Sequence, residues 1–217
     1  QAPAEPKWGG VRPWVLSTGS QVRPAAPPAC DSDEYLAAAR DVYQASLTLS
    51  PRQKEIAQYW AGGPGTETPP GMNLRTAMEE THQRGLSTMR EARVLAYAGA
   101  VIADAAIAAW DAKFTYWWDR PVTTIRRLWD PNWTSYIGTP PFPGYVSGHS
   151  TFSGGTMALL AGFFPDKAVA FKAMATDAAM SRFYGGIHAR YDNETGLDMG
   201  YAIASLALAR AATDGAT

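Results

Sequence analysis

Two of the three histidines in this 217-residue chain fall in short stretches that also hold a lysine and two arginines. Lys113 and Arg120 lie in the first stretch, Ser147-Gly148-His149 make the second, and Arg182, His188 and Asp192 lie in the third. The lysine, the two arginines, the Ser147 hydroxyl, the two histidines and the Gly148 amide are the donor set that a dianionic or trianionic tetrahedral oxyanion requires, because its oxygens accept several charge-assisted hydrogen bonds each. A histidine beside such a group can ligate its central atom, attack it or move a proton. The pattern therefore points to chemistry at the anion as well as to its capture.

Each residue also has a plain structural reading. If helix persists from Lys113 to Arg120, their spacing is two turns and both leave the same face. Such a pair is ordinarily solvated, but Phe114, Tyr116, Trp117 and Trp118 surround it in sequence and argue for enclosure. Ser147 is placed to cap a helix whose free amides and positive dipole end suit an anion. Gly148 lets the backbone approach it. By itself that tripeptide is equally well explained as a loop-to-helix turn. Gly185-Gly186 can fold Arg182 and His188 toward one point, and Asp192, one helical turn past His188, reaches its second ring nitrogen and fixes the tautomer. His82 sits on a polar helix face and reads as structural.

The elements that must position these groups read as all-α. Residues 1–30 are an extended, proline-rich arm whose Trp8, Val11, Trp14, Val15 and Leu16 call for packing on a neighbouring surface. Helical spacing then runs from Asp33 to about Ser46, from Pro51 to about Ala61 and from Met72 to Arg84. A long helix follows from Ser87 to about Tyr116. Pro121 and residues 130–143 read as loop. Three more helices cover 150–164, 166–182 and 192–212, so residues 31–217 form a helical bundle.

A formal net charge of −1 gives no support for nucleic acid or an acidic membrane as partner. The motif cations are thus a local feature. Cys30 is the one cysteine, which excludes an intrachain disulfide and a cysteine metal site. The apolar run from Val94 to Trp110 is Ala-rich and interrupted by Asp104. It reads as a buried helix with no membrane span. The first residues show no signal peptide pattern.

In order and spacing, the three stretches resemble the phosphate-site signature K-x6-R-P, P-S-G-H and S-R-x5-H-x3-D. That signature is shared by the vanadium-dependent haloperoxidases and the type 2 phosphatidic acid phosphatase (PAP2) and bacterial acid phosphatase superfamily. Val146 stands where the signature has proline, with modest geometric consequences expected. Flanking strings resemble the bacterial haloperoxidases more closely: Trp8 to Leu16, Trp110 to Lys113, Arg120 to Arg126, Pro140 to Tyr145 and Tyr184 to Glu194.

The resemblance implies a helical bundle of the haloperoxidase and acid phosphatase type. It implies vanadate as cofactor, with phosphate able to occupy the same place. His188 would ligate vanadium. Lys113, Arg120, Ser147, Gly148 and Arg182 would hold the oxygens, and His149 would be the acid–base residue. Asp192 would support His188, while Trp110 and Phe142 would form an aromatic wall on the halide side. Hydrogen peroxide, halide and a small organic substrate are the implied partners. In the phosphatase alternative, His188 attacks phosphorus and His149 protonates the leaving group. A binding protein without turnover is a third possibility. Haloperoxidases of this kind carry a helical region before the Trp8 segment, so the chain is expected to be the site-bearing half of a longer protein or a shortened relative. Self-association is a further expectation, and a secreted or periplasmic location is favoured.

Overall fold

The computed structural model describes residues 2–216, so the first residue of the arm and the last residue of the bundle lie outside it. Among the described residues there is no β-strand. Eight α-helices carry the fold: α1 (Asp33–Leu47), α2 (Pro51–Tyr59), α3 (Thr68–Gln83), α4 (Thr88–Tyr116), α5 (Pro121–Leu128), α6 (Gly148–Phe163), α7 (Ala168–Tyr184) and α8 (Arg190–Ala211).

Local chemistry sets the helix starts. The Ser32 side chain accepts the Tyr35 amide at 3.2 Å, ahead of Asp33 and Glu34 in the first turn. Ser50 and Gln53 bond reciprocally in a capping box, with Pro51 leading α2. Two elements differ from the expectation. α3 begins at Thr68 instead of near Met72, because Pro69 and Pro70 occupy a first turn whose amides need no intrahelical partner. Residues 121–128 form helix α5, where Pro121 was expected to break the pattern into loop. Pro121 starts this helix for the same reason, with Arg120 extended before it at ψ 151°.

The centre of the molecule is α4, α6 and α8. Ala98, Val101, Ala105, Ala108 and Ala109 of α4 face Leu159, Leu160 and Ile203 in one apolar cluster. α6 and α8 touch backbone to backbone: a Cβ on Gly200 would lie 2.4 Å from the Gly155 nitrogen, so only glycine fits. The apolar stretch that includes α4 has the length and apolarity to cross a bilayer, with half of its most apolar window buried in the protein. The arm runs over α4, and Asp104 inside that apolar run is what receives it. Its carboxylate accepts the backbone N–H groups of Trp14, Val15 and Leu16 at 2.7, 2.7 and 2.8 Å. Arg23 forms a bidentate pair with Asp111, and the Tyr116 and Tyr145 hydroxyls donate to the carbonyls of Pro24 and Ala25. Trp14 itself stays 71% exposed.

Candidate active site

The site forms where the ends of five helices meet. Lys113 is in the last turn of α4, Arg120 precedes α5, Ser147 to His149 open α6, Arg182 closes α7, and His188 and Asp192 flank the start of α8. Lys113 and Arg120 do not share a helix face as their spacing suggested. α4 ends at Tyr116, and Trp117 turns left-handed at φ 51° with its N–H on the Lys113 carbonyl. The two cations approach the site from different segments of the backbone. Between α7 and α8 the tight turn is real: Gly186 has φ +76°, a conformation side chains resist, and a Cβ there would press on Trp133 and Ser135.

His188 has a defined tautomer. Its Nδ1–H donates to Asp192 Oδ2 at 3.0 Å, and its Nε2 accepts from Arg120 Nη1 at 2.8 Å. Asp192 Oδ2 also accepts the Ala189 amide. The second imidazole is fixed as well: His149 Nε2–H donates to the Trp60 carbonyl at 2.8 Å, leaving Nδ1 as its basic atom. Arg120 further donates to the carbonyls of Phe142 and Ile187, yet its buried Nη2 has no acceptor. Arg182 donates to Ser181 Oγ and to the Ala57 carbonyl.

Two of the sequence-derived candidates lie behind this surface. Lys113 is fully buried, and its three N–H groups go to the carbonyls of Pro143, Gly144 and Val146 at 2.8, 2.8 and 2.6 Å. Three acceptors need all three ammonium protons. Ser147, also fully buried, caps α6 and accepts from the Ser150 amide and hydroxyl, while its own amide donates to the Asp192 carbonyl. Val146, in place of the signature's proline, is buried and supplies one of the lysine's acceptors.

Burial and crowded positive charge shape the electrostatics. Burial first, and then Arg120, Lys113 and Arg182, hold His188 well below the ordinary histidine range. Burial and then Arg182 do the same to His149, against the Trp60 hydrogen bond. Burial pulls Arg120 down to about 10, and burial with Arg120's charge pulls Arg182 down to about 9, so both stay charged at neutral pH. Burial pushes Asp192 up to about 7, with Lys113 and Arg120 pulling the other way. Three buried cations thus face one buried carboxylate. A multiply charged anion would relieve that excess, and Arg120 Nη2 and the α6 N-terminus await such an acceptor.

A cavity of about 720 Å³ opens onto this floor, where Arg120, Gly148, His149, Arg182 and His188 are all reached. Trp110 and Phe142 pack against each other at its side, ring centroids 4.9 Å apart. Phe142 also lies 5.1 Å from the Arg120 guanidinium. Sequence reading placed α2 but missed its part in the site, where the carbonyls of Ala57 and of Trp60, just past the helix end, orient Arg182 and His149. Backbone carbonyls have no side-chain signature, so nothing in the residue types could have flagged them. His82 is exposed, remote from this cluster.

The family model for the VCPO second helical-bundle domain matches residues 93–173 and 167–214. Among solved structures, the first bacterial vanadium-dependent iodoperoxidase superposes with a TM-score of 0.89 at 28% identity, covering 96% of this chain and 57% of that one. A holo-type bacterial vanadium-dependent chloroperoxidase gives 0.80 at 17% identity, covering 97% and 56%. A transmembrane PAP2 type phosphatidylglycerolphosphate phosphatase from Bacillus subtilis gives 0.61 at 16% identity, covering 85% and 89%. The last two likenesses concern the fold alone. The chain spans little more than half the length of the haloperoxidases it matches. No curated protein matches it.

Proposed function

This chain belongs to the VCPO second helical-bundle family of the haloperoxidase and PAP2 superfamily, and on that footing we propose that it binds vanadate and oxidises halide with hydrogen peroxide. The observation that carries the oxyanion reading is the buried excess of positive charge around a guanidinium nitrogen without an acceptor. What favours halide oxidation over phosphoester hydrolysis is the likeness to the iodoperoxidase over nearly the whole chain.

His188 Nε2 would ligate vanadium, and Arg120, Arg182 and the Gly148 amide would hold its oxygens. Bound vanadate supplies a Lewis-acidic centre that activates hydrogen peroxide toward halide. Asp192 keeps the proton on His188 Nδ1, so the lone pair is on Nε2, and it would ligate once Arg120 Nη1 releases it. His149, neutral and anchored through Nε2, has Nδ1 as its basic atom and would serve as the acid–base residue toward hydrogen peroxide. Lys113 clamps the loop that leads into Ser147-Gly148-His149, adding its charge from below. It would touch an oxygen only by releasing one of its three carbonyls. The Trp110 and Phe142 rings keep one side of the site dry, which suits a weakly hydrated halide.

Protein loaded with orthovanadate is expected to form triiodide from iodide and peroxide, and to brominate a diketone dye with bromide. An enzyme inert in both assays that hydrolyses an aryl phosphate, with vanadate as inhibitor, would make it a phosphatase. Tight phosphate binding with neither activity would leave a binding protein.

A further inference from the structure

We infer that the cavity above the oxyanion floor is a binding site for an uncharged, apolar organic molecule that accepts the halogen. The inference rests on the halide-oxidising reading of the same floor. A volume of about 720 Å³ is within the range of sites that enclose whole organic ligands, roughly 300–1,000 Å³. It far exceeds what a tetrahedral anion and a halide would fill. Above the floor, the walls come from residues 61–70, which run from a loop into the first turn of α3, and from loop residues 137–142, which together contribute Pro64, Pro69, Pro70, Pro140 and Pro141. Proline has no N–H and a fixed φ, so these walls are apolar, offer no backbone donor at five positions and are already rigid. Rigid apolar walls lose little freedom when a ligand enters.

Charge narrows the class. Among the described residues, no carboxylate and no lysine lines the cavity; its charges are Arg120 and Arg182 on the floor. A cationic molecule would be repelled there, and an anionic one would compete with the oxyanion for the same guanidinium groups. An uncharged aromatic or alkenyl molecule is left. Held there, it meets the hypohalous acid as it forms: halogen, as X+, replaces a proton on carbon, and that proton leaves with the hydroxide as water. The halogenation is thus guided by the cavity instead of occurring at random in solution.

Gly63 and Gly138 on the rim allow a direct test, because a Cβ at either position meets nothing within 4 Å. Gly63→Trp and Gly138→Trp fill the cavity from outside without touching the floor. The probe is anisole, with para-methoxybenzoate as its anionic counterpart, and binding is read by saturation-transfer NMR with and without orthovanadate. Anisole should bind wild type in both states, and either tryptophan variant should weaken it about tenfold or more. The benzoate should bind only until orthovanadate displaces it. Orthovanadate affinity at equilibrium should be the same in all three proteins. In bromination, wild type should give a para-to-ortho ratio different from free hypobromite, and the variants should return to the free ratio. Anisole binding that is absent or equal in all proteins, or a wild-type ratio matching hypobromite, overturns the inference. Failure of wild type to take up orthovanadate would instead overturn the reading of the floor, while anisole binding still decides the cavity.

Discussion

His188 has one ring nitrogen committed to Asp192 and the other, Nε2, presented beside Arg120. His149 has the opposite assignment, with Nε2 committed to Trp60. The two imidazoles are therefore not interchangeable, and their removal should separate binding from turnover. Titration calorimetry of His188→Ala should show no heat of orthovanadate binding. His149→Ala should keep the ion yet lose about 10²–10⁴-fold in turnover, the usual size of a general acid–base contribution. Equal affinity in the His188 variant would defeat this division of roles. Asp192→Asn tests the support directly. An amide can turn its NH2 toward Nδ1 and reverse the tautomer, so orthovanadate affinity should drop about 10–100-fold with the helix content unchanged by circular dichroism. At this scale sequence was informative wherever the chemistry resides in side chains. It could not show that Lys113 and Ser147 are consumed by neighbours, because carbonyl acceptors come from loop paths that residue types do not encode.

Helix pattern and capping chemistry made most elements legible, since six of the eight starts have a serine at the cap position or a first-turn proline, α7 and α8 having neither. α5 escaped because it is short and its proline was taken as a breaker when it stands at the first helical position, where proline is welcome. The end of α4 at Tyr116 was legible, but the left-handed turn at Trp117 that parts Lys113 from Arg120 was not, because an L-residue seldom chooses it. Asp104 was visible only as an interruption of an apolar run, although it is the anchor that joins the arm to α4. Asp104→Ala leaves three arm amides without their acceptor, that of Leu16 buried and those of Trp14 and Val15 partly buried. The expected loss is about 3 kcal/mol, and hydrogen exchange at Trp14, Val15 and Leu16 should accelerate before the rest of the fold is affected. Unchanged exchange there would mean that other contacts hold the arm.

Glu80 makes the corresponding tie for α3, accepting from Arg84 and from Lys167 at 2.5 and 2.7 Å. Burial would raise its pKa, but the hydrogen bonds from Lys167 and Arg84 outweigh burial and hold it below the ordinary glutamate value. A depressed carboxylate contributes stability above its unfolded pKa, and that contribution vanishes as pH falls through the folded value. Urea unfolding should therefore show wild type more stable than Glu80→Gln at about pH 7, by roughly 2 kcal/mol, with the gap closing below about pH 4. A gap independent of pH would assign the effect to packing.

For the molecule as a whole, the site stores charge that the fold does not balance. Lys113, Arg120 and Arg182 are buried together against Asp192 alone, and the bundle tolerates them because α4, α6, α7 and α8 are already closed by small residues and apolar side chains. Stability and function then pull in opposite directions at the same residues, as expected where a site must be ready for an anion before the anion arrives. Linkage converts this into a measurement: an anion that binds only the folded chain adds about 2.7 kcal/mol at roughly 100 times its Kd. For a protein of this length each kcal/mol moves the midpoint by about 2–4 °C, so saturating orthovanadate should raise Tm by about 5–10 °C. Replacing Arg182 with methionine removes a buried charge and keeps an apolar stem, so the ligand-free variant should melt at or above the wild-type temperature. Its gain from orthovanadate should be much smaller, and the two melting curves should cross as the anion is titrated in. A ligand-free variant that melts well below wild type would show that Arg182's bonds to Ser181 and Ala57 support the fold more than they prepare it for an anion.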